Sequence, residues 1–167
     1  MTETEPAPDR HPELVAWLET RAAGFERWAR DTGAPEYWNF SPESLDALEE
    51  LVRRTFAAQE EIAAARSGEF VQGAVWYIGE VIRRSAPDAV WRYDPFTSDD
   101  RIPERMFEPG VQEVGDTPHL GRPHFQDGDY LYPLGLLNQL FWETDELGEP
   151  VEVHLADVLE AFADDAD

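Results

Sequence analysis

Residues 69–84, Glu69-Phe70-Val71-Gln72-Gly73-Ala74-Val75-Trp76-Tyr77-Ile78-Gly79-Glu80-Val81-Ile82-Arg83-Arg84, decide the fold. Phe70, Ala74, Ile78 and Val81 recur at helical spacing, and Val71, Val75 and Ile82 lie beside them. A helix built from this stretch is apolar on more than one side. It therefore belongs in the middle of a bundle, because water on either face would leave apolar area unburied. The spacing predicts a central helix with the other elements arranged around it.

Upstream, residues 1–10 are polar and acidic and are expected to form a flexible arm, leaving 11–167 as one domain. A first helix is predicted from about His11 to Asp31. Pro12 suits its first turn, Leu14, Leu18, Ala22, Phe25 and Ala29 repeat at helical spacing, Trp17 and Trp28 widen the apolar face, and Gly33 closes it. The second helix has a clear start in Phe40-Ser41-Pro42-Glu43-Ser44-Leu45, where Ser41 can cap, Pro42 presets the first turn and Phe40 can staple onto Leu45. Leu48, Val52, Phe56 and Ile62 extend this helix toward Gly68.

Downstream of the breaker Ser85-Ala86-Pro87-Asp88, the run Ala89–Tyr93 reads as a strand ended by Asp94-Pro95. Residues 105–114 resemble a hairpin turning at Pro109-Gly110. The Gly-, Pro-, Asp- and His-rich stretch 115–129 is expected to be a binding loop or a flexible one. A fourth helix starts near Pro133 with Leu134, Leu137, Leu140 and Phe141. A last one runs from about His154 to Ala163, with Leu155, Val158, Leu159 and Phe162 opposite Asp157 and Glu160. The expected class is α+β, a mainly helical single domain with a small antiparallel sheet.

The 167 residues include 36 Asp and Glu against 13 Arg and no Lys, a net charge of −23. The imbalance is steepest at the end, where residues 123–167 hold twelve Asp and Glu and no Arg or Lys. Such a field repels nucleic acid and anionic membrane and steers a basic protein inward. The six Trp and nine Phe argue against wholesale disorder, so the acid must sit mostly outside a real core. No Cys is present, which excludes disulfides, thiolate nucleophiles and cysteine metal sites. The first residues lack a signal-peptide pattern and no stretch approaches about 18 consecutive apolar residues, so a cytoplasmic, soluble protein is expected.

No phosphate loop, GxSxG elbow or paired Ser/His arrangement is present, and no catalytic residue is assigned. Glu80 stands out as a carboxylate within the apolar helix, with Arg84 four residues on. With Trp76 and Trp91 these residues either line a pocket around a tuned acid or form an intrahelical ion pair at the edge of the core. His119, His124, Asp127 and Asp129, with Asp116, supply nitrogen and oxygen ligand types in one presumed loop. Their spacing matches no metal motif, so neither metal nor cofactor is expected and loop solvation accounts for them. Tyr37-Trp38-Phe40, Trp91-Tyr93-Phe96 and Tyr130-Tyr132 lack the basic track that base stacking needs, which leaves packing as their role. Two acid rows, Glu49-Glu50 with Glu60-Glu61 and Asp157-Glu160-Asp164, either solubilise the surface or imitate the phosphate line of DNA.

The stretch 73–84 followed by Val90-Trp91-Arg92-Tyr93-Asp94 resembles a pattern in small, mostly uncharacterised bacterial proteins, some associated with toxin-immunity loci. There a helix carrying Gly-Glu feeds a Trp-bearing strand. The resemblance implies an α+β layout and an interaction role, and it carries no catalytic residue. The resulting expectation is an acidic interaction protein that binds and neutralises a basic protein partner through Glu143, Asp145, Glu146, Asp157, Glu160 and Asp164. The alternatives are a small-ligand or metal-dependent enzyme using Glu80 and the 115–129 loop, and a DNA mimic.

Overall fold

In the computed structural model, residues 10–94, 107, 117–122, 130–144 and 147–164 are described, with the side chains of 161–164 excepted. The order is α1 (Pro12–Asp31), a 3-10 turn (Pro35–Tyr37), α2 (Pro42–Thr55), α3 (Gln59–Ala65), α4 (Glu69–Ser85), β1 (Val90–Arg92), β2 (His119–Gly121), α5 (Pro133–Gln139) and α6 (Asp157–Asp164). This is the mainly helical α+β domain with a small antiparallel sheet that the sequence predicts. The proposed arm at 1–10, Arg10 apart, and the proposed hairpin at 105–114, Phe107 apart, lie outside the described residues.

α4 is the axis of the fold. Every residue from Gly73 to Gly79 is buried, so nearly two turns are covered on all sides. α1, α2, α3, α5 and α6 all pack directly against it. Two glycines let neighbours come close: the Trp28 indole of α1 lies on Gly73 and the Trp91 indole of β1 lies on Gly79. A Cβ built at either position would overlap the ring. Aromatic rings then fill the α1–α4 seam, with Phe25 5.6 Å from Trp76 and Trp28 5.8 Å from Tyr77.

The entry to α2 is tied to α4 by a polar link. Phe40 takes a left-handed backbone (φ 63°), its N–H donates to the Tyr77 hydroxyl at 2.8 Å, and that hydroxyl donates to Ser44 Oγ at 2.7 Å. Ser41 Oγ accepts from the Ser44 N–H at 3.3 Å, the cap that the sequence marks. The Phe40 ring packs on Tyr77, with centroids 4.9 Å apart. Burial pushes the Tyr77 hydroxyl pKa up, which keeps it a neutral donor.

Three expectations need correction. The second helix does not continue to Gly68, because Phe56 adopts extended geometry and α3 starts afresh at Gln59. The Glu61 carboxylate accepts from the N–H groups of Ala57 and Ala58, which starts the new helix while Val52 and Ile62 both stay in the core. Within 115–129, residues 119–121 form a strand that pairs antiparallel with β1, in the register Val90↔Gly121, Trp91↔Leu120 and Arg92↔His119. Leu120 also exchanges both backbone bonds with Leu131, at 2.8 and 2.9 Å. On α1, Ala22 faces solvent, and Leu14, Trp17, Trp28 and Ala29 are its buried residues.

Substituting Gly79→Ala or Gly73→Ala should lower unfolding stability by about 1–3 kcal/mol, since overpacking outweighs the gain in helix propensity. Gly24→Ala on α1, where a Cβ meets nothing within 4 Å, should instead raise stability by about 0.5–1 kcal/mol. Urea denaturation checks both signs, and equal effects at the three glycines would contradict the packing account.

Candidate functional site

The residues expected around Glu80 are each engaged by a different partner. Glu80 pairs with Arg83 rather than Arg84, at 2.9 Å. Arg84 instead lies over the Phe40 ring, 3.8 Å from its centroid, so the i+3 arginine takes the carboxylate and the i+4 arginine takes the aromatic face. Trp76 is buried between Phe25 and Phe40. Trp91 is buried against Gly79, with its ring 5.5 Å from that of Trp17. Four clefts of a few hundred Å³ lie elsewhere among the described residues, and these four are lined by other side chains than Trp76, Glu80, Arg84 and Trp91.

His119 sits on β2, buried between the rings of Tyr130 and Tyr132 at centroid distances of 5.0 and 4.5 Å. Its Nδ1–H donates to the Thr117 carbonyl at 3.2 Å. Burial pushes the imidazole pKa down to about 4, overriding the opposite pull of that carbonyl. The neighbouring Arg122 is buried and pairs with Asp88 at 3.3 Å, closing the turn that leads into β1. Asp116, His124, Asp127 and Asp129 lie outside the described residues. Among the described residues no three His, Asp or Glu side chains converge on a point that could hold a metal ion.

The acidic C-terminal segment is attached to α2 by a device that the sequence reading missed. The Arg53 guanidinium donates to the carbonyls of Leu140 at 2.7 Å and Val153 at 2.9 Å, so one side chain holds both ends of the intervening segment. Glu49, one turn earlier on α2, accepts from Arg53 Nε at 3.3 Å, from the Leu155 N–H at 2.9 Å and from His154 Nδ1–H at 3.0 Å. His154 Nε2–H donates to Glu152 at 3.1 Å. Leu155 and Val158 are then seated in the core. Glu49 and Arg53 at i and i+4 were a visible signal. Their partners are backbone groups about a hundred residues away, which no spacing reveals.

With that attachment made, Asp157 and Glu160 on α6 face solvent, as does Glu143. None of the three meets a cation within ion-pairing distance among the described residues. Asp145 and Glu146 lie outside the described residues, and Asp164 is described only as the last backbone position of α6. The other predicted acid row is broken up: Glu49 turns inward and Glu61 caps α3, while Glu50 and Glu60 remain exposed. A further acidic groove, unforeseen from the sequence, runs between the 3-10 turn and α2. It encloses about 650 Å³ and is lined by Glu36, Glu43, Asp46 and Glu50, with Tyr37, Trp38 and Arg54. No helix among the described residues is long and apolar enough to cross a membrane.

Arg53→Ala should ease local opening of residues 153–160 by about 1–2 kcal/mol, read by amide hydrogen exchange, with global stability falling less. Bonds to Glu49 and Glu152 raise the His154 pKa, so its contribution to docking is complete below its unfolded value and fades as pH rises through the folded one. Exchange in this segment should accelerate over that interval, and His154→Ala should remove the pH step. For His119 the sign is opposite: stability is lost as pH falls from 6.5 toward about 4, and His119→Gln should flatten that limb of a urea-stability profile. Compared with protein-family models, with curated proteins and with solved structures, the chain matches none of them.

Proposed function

We propose that this chain is an acidic interaction protein that binds and neutralises a basic protein partner, as an immunity protein or inhibitor does. The observation that carries this reading is the outward placement of Glu143, Asp157 and Glu160, without cationic neighbours among the described residues, on a segment held by Arg53 and Glu49. An attached acidic surface loses less ordering entropy on binding than a free acidic tail would. The groove at Glu36, Glu43, Asp46 and Glu50 extends the same charge along α2, and exposed Tyr37 adds an amphipathic ring of the kind that anchors protein contacts. With a net charge of −23, long-range attraction would accelerate encounter with a cationic surface and discriminate against acidic proteins.

Affinity capture with the intact chain at about 0.1 M salt should retain a specific basic protein and release it at about 1 M, where the Debye length shrinks to about 3 Å. The combined substitution Asp157→Asn, Glu160→Gln and Asp164→Asn should abolish capture, whereas Glu80→Gln should not. Specific partners that prove neutral or acidic, and that stay bound at high salt, would overturn the proposal.

A further inference from the structure

We infer that the cleft between the start of α3 and the end of α5 receives an arginine side chain of the basic protein partner, with the Trp142 indole as its stacking surface. This deepens the interaction role proposed above and rests on it. The cleft encloses about 450 Å³, and Gln59, Glu60, Trp142 and Glu143 line it together with Arg53. Through Glu143 it shares a carboxylate with the proposed acidic surface.

Trp142 is the first observation. The other five of the six tryptophans are buried, whereas Trp142 is 41% exposed. Its indole N–H donates to Gln59 Oε1 at 3.2 Å, which ties the ring to α3 and satisfies its one polar atom. What remains for a partner is ring surface. Tryptophan is enriched among the residues that anchor protein contacts, and of the aromatic rings it holds a cation best.

The charge of the lining is the second observation. Arg53 is committed inside the fold: its guanidinium pairs with Glu49 at 3.3 Å and donates to the carbonyls of Leu140 and Val153. Glu60 and Glu143 are exposed, and neither pairs with a cation among the described residues. The cleft thus offers two unmatched carboxylates and one exposed ring. An anion would be repelled, and an apolar side chain would cover the ring while leaving the carboxylates without a partner. A guanidinium meets both demands, since its flat face stacks on the indole while its edge donates to a carboxylate. An ammonium has the charge without the plane. Free arginine would bring its own carboxylate into the acidic field, so an arginine within a protein chain is the better match.

The full chain is titrated at about 0.1 M salt with a terminally blocked tripeptide carrying a central arginine, while the Trp142 indole N–H resonance is followed by NMR. Saturable shifts should centre on Trp142, with the central-lysine peptide and free arginine binding severalfold more weakly and the central-citrulline peptide not measurably. Trp142→Leu should weaken the arginine peptide about tenfold, and Glu60→Gln combined with Glu143→Gln should do the same. Asp157→Asn combined with Glu160→Gln should leave the peptide's affinity within about twofold, because those carboxylates lie outside the cleft lining. Equal affinity of the wild type and Trp142→Leu, or shifts spread evenly over the acidic surface, would overturn the cleft, and the wider acidic role would still stand if a basic protein were captured. Peptide binding at Trp142 with no basic protein captured would overturn that role and not the arginine selectivity of the cleft. The paired glutamine variant decides the matter even if Trp142→Leu loosens α5, since neither carboxylate has an internal partner among the described residues.

Discussion

Two indoles resting on two glycines of one helix set the geometry of this protein. Gly73 and Gly79 lie on different sides of α4, so Trp28 approaches from α1 and Trp91 from β1, and the helix is gripped between them. Neither approach is open to a helix carrying a Cβ at those points. Glycine costs helix stability of its own, about 0.5–1 kcal/mol at each site, and the ring burial it permits exceeds that. The same contact places Phe70, because the indole seated on Gly73 is the one that Phe70 stacks against. On the other side, Trp91 fixes β1, which carries β2 and buries His119 and Arg122 with it.

Polar groups specify what ring packing leaves undetermined. The Tyr77 hydroxyl links the left-handed turn at Phe40 to the first turn of α2, and so sets where that helix begins. Arg53 and Glu49 do the corresponding work at the other end of the chain, where backbone donors and acceptors of the 140–155 segment would otherwise have to be met by water. Charge-assisted bonds to backbone are well suited to this, since each is roughly twice as strong as a neutral one and names one geometry. Arginine is thus partly spent inside the fold, on Leu140, Val153 and Asp88.

That use of arginine shapes the surface. With cations drawn onto backbone carbonyls and neighbouring helices, Asp157 and Glu160 of α6 stand without local compensation among the described residues, and the four carboxylates of the α2 groove have Arg54 alone beside them in its lining. Their mutual repulsion disfavours the compact state. A cationic surface placed against them would relieve that repulsion and gain direct attraction together, which is the physical basis of the proposed interaction role.

Helix positions, the cap at Ser41, the strand at 90–92 and the central place of α4 were legible in the sequence, because periodicity and capping are local and act over a turn or two. The excess of acid was legible for the same reason: composition alone requires most of it to be outside. The division of α2 from α3 was not, since apolar spacing runs through Phe56 unbroken and only the Glu61 carboxylate folding back on Ala57 and Ala58 starts a new helix. Nor was the choice of Arg83 over Arg84 as the partner of Glu80, which turns on Phe40 arriving from another element to occupy Arg84. The pairing of His119 with Arg92 and the Arg53 clamp both join residues far apart in the chain. What the sequence determined by itself was what each segment could become. Which segments meet was decided by tertiary structure alone, because those contacts depend on side-chain shape and unsatisfied backbone groups across distances that no local pattern records.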